Sequence, residues 1–120
     1  MATLTQPATQ PFDWGITQSR INEAVARIVD YARPLRIVAF GSWARGEQKQ
    51  QSDLDLAVIL EDSPEAIARR PSYDLFEGVR MSIDLIVATS QRHDQFKSSP
   101  NSIHRAIATE GVVLYERDAR

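Results

Sequence analysis

The sequence contains two closely spaced aspartates whose type and spacing could do chemistry. Asp53 and Asp55 alternate with leucines, so on a strand both carboxylates would project from one face, with Cα atoms about 6.6 to 7 Å apart. Two like charges on one strand face repel each other unless a cation lies between them. Magnesium prefers oxygen ligands and commonly joins carboxylates to phosphates. The pair therefore predicts a Mg²⁺ site, with Mn²⁺ as the alternative ion.

A third aspartate, Asp84, lies in a later apolar run. Its carboxylate could complete a two-ion site, in which the ions lie about 3.5 to 4 Å apart, or it could accept the proton of an attacking hydroxyl group. The alternative is a structural carboxylate that pairs with Arg80 or Arg36. The metal role is the favoured interpretation.

A glycine and a serine, Gly41 and Ser42, follow a short apolar run where the chain must turn sharply. The glycine would allow phosphate oxygens to approach backbone N–H groups, and the serine hydroxyl would add a donor. Arg45 could offer positive charge to the same phosphates, or it could brace the loop. Trp43 could stack on a base or support the turn as an apolar residue. The segment is predicted to bind a nucleotide.

Apolar periodicity predicts the elements that must position these residues. One amphipathic helix is expected over residues 16–33, ended by Pro34. The remaining predicted elements are strands over residues 35–40, 53–60, 81–89 and 112–115, and helices over residues 64–68 and 102–110. The pattern predicts an α/β (α+β) fold, a small mixed β-sheet with helices packed mainly on one face.

Length and composition set the remaining expectations. The 120 residues suit a flexible leader over residues 1–15 and a single domain over residues 16–120. No apolar run is long enough to cross a bilayer and no signal peptide is visible, which favours a cytoplasmic protein. The net charge of −2 argues against binding of duplex DNA. His93 and His104 lie in polar surroundings and are predicted to be surface residues.

The combined pattern resembles a known signature. Gly41-Ser42 followed by Asp53-Leu54-Asp55 is similar to the signature of the DNA polymerase β nucleotidyltransferase superfamily, and the string GSWARGEQKQQSDLDLAVIL resembles its minimal members. The resemblance covers residues 35–116 and implies the polymerase β-like nucleotidyltransferase fold. The roles that it implies are triphosphate binding at Gly41 and Ser42 and metal binding at Asp53, Asp55 and Asp84.

The same resemblance implies an activity and a partner. An enzyme of this kind moves a nucleoside monophosphate, here AMP from ATP, onto a hydroxyl group and releases pyrophosphate. Many minimal members resemble the antitoxin of a toxin–antitoxin pair, whose partner is a small helical ribonuclease toxin that can itself be the acceptor. Two alternatives stay open: a non-catalytic nucleotide-binding module that neutralises or scaffolds a partner protein, and a nucleotidyltransferase that acts on a small molecule such as an antibiotic.

Overall fold

The computed structural model describes residues 13–47 and 53–117. Its helices are α1 (Gln18–Ala32), α2 (Gly41–Ala44), α3 (Pro64–Ala68), α4 (Ser90–Phe96) and α5 (Ile103–Glu110), with a 3-10 turn over Tyr73–Phe76. Its strands are β1 (Arg36–Phe40), β2 (Leu54–Leu60), β3 (Ile83–Thr89) and β4 (Val112–Glu116). The predicted elements are present with ends shifted by one or two residues, whereas α4 was not predicted. Most of the predicted leader and of the loop at residues 47–52 lies outside the described residues.

The four strands form one mixed sheet in the order β3-β2-β1-β4. β1 runs antiparallel to both of its neighbours, β2 and β4, whereas β2 and β3 run parallel. A parallel pair needs a long crossover connection, and residues 61–82 supply it with α3 and the 3-10 turn. The predicted α/β class with a small mixed sheet is confirmed.

The two faces of the sheet are covered unequally. The larger apolar cluster joins α1 to one face, and the alternating leucines of β2 point into it. The opposite face carries a small cluster, in which Ile107 of α5 packs on Val38 and Phe40 of β1 and on Ala57 of β2. The larger cluster fixes the sheet against α1, and the small cluster lies beside the predicted site residues.

Local signals account for the ends of α1 and α3. The Thr17 side chain accepts a hydrogen bond from the backbone N–H of Arg20 at 3.1 Å and so caps the start of α1. Arg33 ends this helix in the left-handed conformation, at φ 48°, directly before Pro34. At α3, the Ser63 hydroxyl caps the N–H of Ala66, and a proline occupies the first turn.

The segment before α1 contacts the domain. The backbone N–H of Gly15 donates to the carbonyl of Arg80 at 3.0 Å, and Arg20 forms an ion pair with Asp13 at 2.8 Å. These contacts hold residues 13–15, the last part of the predicted leader, while the domain boundary itself stays a prediction. Within residues 13–47 and 53–117, no helix has the length and apolar character needed to span a membrane. The cytoplasmic location stays a prediction.

The prediction that His93 and His104 are surface residues is wrong. Their relative exposures are 3% and 7%, and their Nδ1 atoms lie 3.0 Å apart. One ring nitrogen must donate and the other accept, so this contact cannot form when both rings are protonated. Burial is the main cause that lowers the pKa of both side chains. The polar sequence around His93 concealed α4, which packs this residue against α5.

Stability should fall as the pH drops below about 6.5, the ordinary histidine pKa. The unfolded chain takes up protons at that pH, whereas the folded chain, with its lowered pKa values at His93 and His104, does not until the pH is lower. Urea midpoints measured from about pH 5 to 8 should therefore rise with pH and level off above the unfolded pKa. In His104→Asn, which keeps a polar atom near the Nδ1 position, the rise should be smaller. An unchanged pH profile in this variant would contradict the assignment of the pH-dependent stability to the pair His93 and His104.

Gly111→Ala should destabilise the domain by about 1 to 3 kcal/mol, the usual cost of overpacking. A Cβ at this position would overlap the carbonyl oxygen of Ile107 and Cγ1 of Val38, which forces α5 away from β1. The exposed neighbour Ala108, changed to Ser, is the control and should alter stability by no more than about 0.5 kcal/mol. Equal unfolding midpoints for the two variants would show that α5 can move away from β1 without loss of stability.

Candidate functional site

Asp55 and Asp84 stand side by side on the parallel strands β2 and β3. The strand register pairs their Cα atoms directly. Alternation along β2 sends Leu54 and Leu56 into the larger cluster, and therefore sends Asp55 to the opposite face. On β3, Ile83 and Leu85 contact the same cluster, which places Asp84 on that opposite face as well. The two carboxylates thus meet at one edge of the small apolar cluster.

This proximity perturbs Asp55. Burial raises its pKa, and the neighbouring charge of Asp84, a side-chain hydrogen bond with Asp84 and the charge of Asp53 raise it further, while the charge of Arg45 acts in the opposite sense. A hydrogen bond between two carboxyl groups requires a proton on one of them, because an ionised carboxylate can only accept, and two carboxylates at this distance would also repel each other. A cation beside the pair would remove the need for that proton.

Asp53 is more exposed than Asp55 and lies outside the strand. It precedes β2, which begins at Leu54, and its side chain is exposed. Its charge contributes to the raised pKa of Asp55. Across residues 13–47 and 53–117, no group of three or more histidine, cysteine, aspartate or glutamate side chains is arranged to hold a metal ion. The structure places Asp55 beside Asp84. That all three aspartates bind metal together stays a prediction.

Gly41 packs directly against the Asp55 carboxylate. A Cβ at this position would lie 3.0 Å from Cγ of Asp55 and closer still to Oδ2. The residue also adopts φ 75°, a left-handed conformation that glycine tolerates best. Phe40, which precedes it, is the cross-strand partner of Asp55. The end of β1 therefore needs a glycine both for its backbone and for the space beside the carboxylate.

Ser42 and Trp43 belong to the short helix α2, which starts at Gly41. The first N–H groups of a helix have no partner inside it, so this turn presents backbone donors at its N-terminal end. Ser42 is half-buried there. Trp43 packs against the larger apolar cluster, which favours its role as a support for the turn over base stacking.

Arg45 braces the turn. Its Nε donates to Oε1 of Glu47 at 2.9 Å and its guanidinium donates to Oε1 of Glu110 at 3.0 Å, which ties the turn to α5. These carboxylates raise the pKa of Arg45. Arg45 still affects the site, since its positive charge acts on Asp55. Bracing, one of the two roles considered from the sequence, is the one that these contacts favour.

Tyr73 was not recognised as part of this region. Its hydroxyl accepts a hydrogen bond at 2.9 Å from the backbone N–H of Leu85, the residue after Asp84. β3 is an edge strand, so this hydroxyl satisfies a backbone donor that no further strand pairs. A tyrosine in a stretch without clear periodicity gave no signal of such a contact.

The chemistry of the donors fits a divalent cation such as Mg²⁺. Asp55 and Asp84 offer hard oxygen ligands at adjacent positions, and the missing side chain at Gly41 leaves room beside one of them. Magnesium is often bound by one or two carboxylates together with substrate phosphates. Two carboxylates next to a turn that presents N–H donors meet that description.

Comparison with known proteins assigns most of the chain to one family. Residues 22–120 match the family model described as polymerase beta, nucleotidyltransferase. A protein of Methanocaldococcus jannaschii that carries the name protein adenylyltransferase is 38% identical over 55 residues, which cover 45% of this chain and 64% of that protein. The chain thus spans less than two thirds of that relative.

Two solved structures align with the chain, and the first of them shows a similar fold. A crystal structure of a toxin–antitoxin with AMP-PNP aligns with a TM-score of 0.56 and 24% identity, over 81% of this chain and 73% of that one. A nucleotidyltransferase structure from Sulfolobus solfataricus aligns with a TM-score of 0.48 and 22% identity, over 86% of this chain and 92% of that one. The family match over most of the chain decides the assignment: the chain belongs to the polymerase β nucleotidyltransferase family.

Proposed function

We propose that the domain transfers AMP from ATP to a hydroxyl group and releases pyrophosphate, with Mg²⁺ as its cofactor. The observation that carries the proposal is the pair Asp55 and Asp84, held side by side next to Gly41 in a chain of this family. Such a pair of like charges repels itself, whereas a cation bound between the carboxylates and the nucleotide phosphates would stabilise it. The name of the archaeal relative, protein adenylyltransferase, supports AMP as the group transferred.

Each group of residues in the proposed site has its own role in the reaction. The N–H groups at the start of α2 and the Ser42 hydroxyl bind the triphosphate oxygens, and the carboxylates of Asp53, Asp55 and Asp84 would hold the cation. The cation, when bound, neutralises charge on the phosphates and orients them. The acceptor oxygen attacks the α-phosphorus, the bond from that phosphorus to the bridging oxygen breaks, and pyrophosphate leaves with the electron pair. Asp84 takes the proton of the acceptor hydroxyl.

The acceptor that we propose is a hydroxyl on a small helical partner protein, as in a toxin–antitoxin pair. The toxin–antitoxin structure with AMP-PNP supports this choice through its fold. The domain then acts as the antitoxin.

One experiment tests the function directly. The full chain is incubated with each of the four labelled nucleoside triphosphates and Mg²⁺, with and without the product of the adjacent gene, and the label on protein and RNA is measured. Transfer from ATP to the partner protein is expected. Absence of transfer from every nucleotide in a folded protein that still neutralises its partner would favour a non-catalytic binding module.

Asp84→Asn should lower AMP transfer at least about a hundredfold and leave most of the ATP affinity in place. The amide is nearly isosteric but cannot take the acceptor proton, and this loss is felt in the transition state rather than in nucleotide binding. Asp30→Asn, an exposed change on α1, is the matched control and should leave transfer unchanged. A normal rate in Asp84→Asn would show that this carboxylate is structural.

The double variant Asp53→Asn with Asp55→Asn should lose Mg²⁺ and Mn²⁺ binding in the presence of nucleotide, measured by calorimetry. Both carboxylates are proposed ligands, and an amide oxygen carries no charge to hold the ion. Retention of metal affinity in the folded variant would place the ion elsewhere.

Gly41→Val should abolish nucleotide binding, whereas Ser42→Ala should weaken it by about 1 to 3 kcal/mol, the worth of one hydrogen bond to a charged group. A valine would collide with the Asp55 carboxylate and resist the left-handed backbone, so the turn must move. Gly46→Ala is the control, since it shares a φ of 75° but has open space for a Cβ. Full ATP affinity in a folded Gly41→Val variant would place the phosphate site elsewhere.

A further inference from the structure

A second concave site lies on the same sheet face as Asp55 and Asp84. It is a cavity of about 160 Å³ between β1, α4, α5 and β4. A water molecule has about 30 Å³ in the liquid, so the cavity has room for a group of a few heavy atoms, and it is smaller than the pockets that hold drug-sized ligands. The lining residues are Arg36, Val38, His93, Lys97, Ile107, Ala108, Gly111 and Val113.

The cavity carries two cationic side chains. Arg36 is half-buried, and among the described residues it has no hydrogen bond or ion pair through its guanidinium. Lys97 pairs with the exposed Asp94 at 3.2 Å, and Asp94 is not among the lining residues. Glu116 is the cross-strand partner of Arg36 and also lies outside the lining. The lining itself thus contains positive side chains and no carboxylate.

His93 adds a buried polar group to the same lining. The residue is only 3% exposed, and its Nδ1 lies within hydrogen-bond distance of Nδ1 of His104. Within the part of the chain that the structure describes, Nε2 of His93 has no hydrogen-bond partner. When Nδ1 accepts from His104, the proton of the neutral ring lies on Nε2, which can then donate to a ligand without a charge.

The cavity is separate from the nucleotide site. Arg36 lies at the start of β1 and Phe40, the neighbour of Asp55, lies at its end. Four residues of extended chain span about 13 Å, too far for one phosphate group to bridge both places. Val38 and Ile107 of the small cluster line the cavity, whereas Phe40 of the same cluster pairs with Asp55.

We propose that this cavity binds a single phosphate group, held by Arg36, Lys97 and the imidazole of His93. Arginine and lysine side chains form charge-assisted hydrogen bonds with phosphate oxygens, and the tetrahedral group fits the available volume. The phosphate can be free in solution or be the monoester of a larger molecule, since both present the same oxygens. The proposal does not depend on the transfer reaction.

The test is a titration of the isotopically labelled full chain, followed by nuclear magnetic resonance, with inorganic phosphate in one arm and AMP in the other. Inorganic phosphate should shift the signals of His93 and the Gly111 amide. The dissociation constant should rise at least about tenfold in Arg36→Gln and in Lys97→Gln, the cost of one charge-assisted hydrogen bond. Arg69→Gln, at the exposed end of α3, is the matched control and should bind phosphate normally.

The outcomes distinguish free phosphate from a phosphate monoester, and the cavity from the nucleotide site. Shifts around His93 with phosphate alone identify a free anion as the ligand, and the same shifts with AMP identify a monoester. Shifts confined to Gly41 and Ser42 in both arms would overturn the proposal and leave the nucleotide site intact. Equal phosphate affinity in the wild type and in Lys97→Gln, whose exposed position makes misfolding no explanation, would also overturn it.

Discussion

The contact between the carboxyl groups of Asp55 and Asp84 is the constraint on which the rest of the site depends. Two acids placed side by side on neighbouring strands oppose folding unless a proton or a cation lies beside them. The parallel pairing of β2 with β3 brings them together, and Gly41 leaves the space that the first carboxylate needs. The surroundings of this pair therefore suit either a shared proton or a bound cation.

Sequence patterns were sufficient for the parts of the fold that follow from periodicity and capping. Alternation in β2 and β3 gave the correct faces for Leu54, Asp55 and Asp84, and the signals at Ser63 and Pro64 gave α3. The glycine at the end of β1 was recognised for its turn. Its contact with Asp55 was not, because proximity to a residue fourteen positions later depends on strand pairing that no local pattern encodes.

The sequence did not reveal α4 or the histidine pair. The segment Ser90–Phe96 has too few apolar residues to show a helical period, and it forms a helix through the Thr89 cap and through packing of His93 on α5. Likewise, the ion pair between Arg45 and Glu110 joins residues 65 positions apart. Tertiary contacts of this kind decide whether an arginine near a phosphate turn faces the ligand or holds the turn in place.

The alternation of β3 ties the chemistry of the site to the burial of the core. Side chains alternate along β3, so the strand that places Asp84 on the opposite face of the sheet packs Ile83, Leu85 and Val87 against the larger cluster. A slip of one residue in the pairing of β2 with β3 would turn the aspartate inward and expose all three apolar side chains. A misregistered sheet is thus rejected by loss of hydrophobic burial, whether or not a ligand is present. Hydrophobic burial therefore selects the strand register that places the carboxylates correctly, and it does so before any substrate binds.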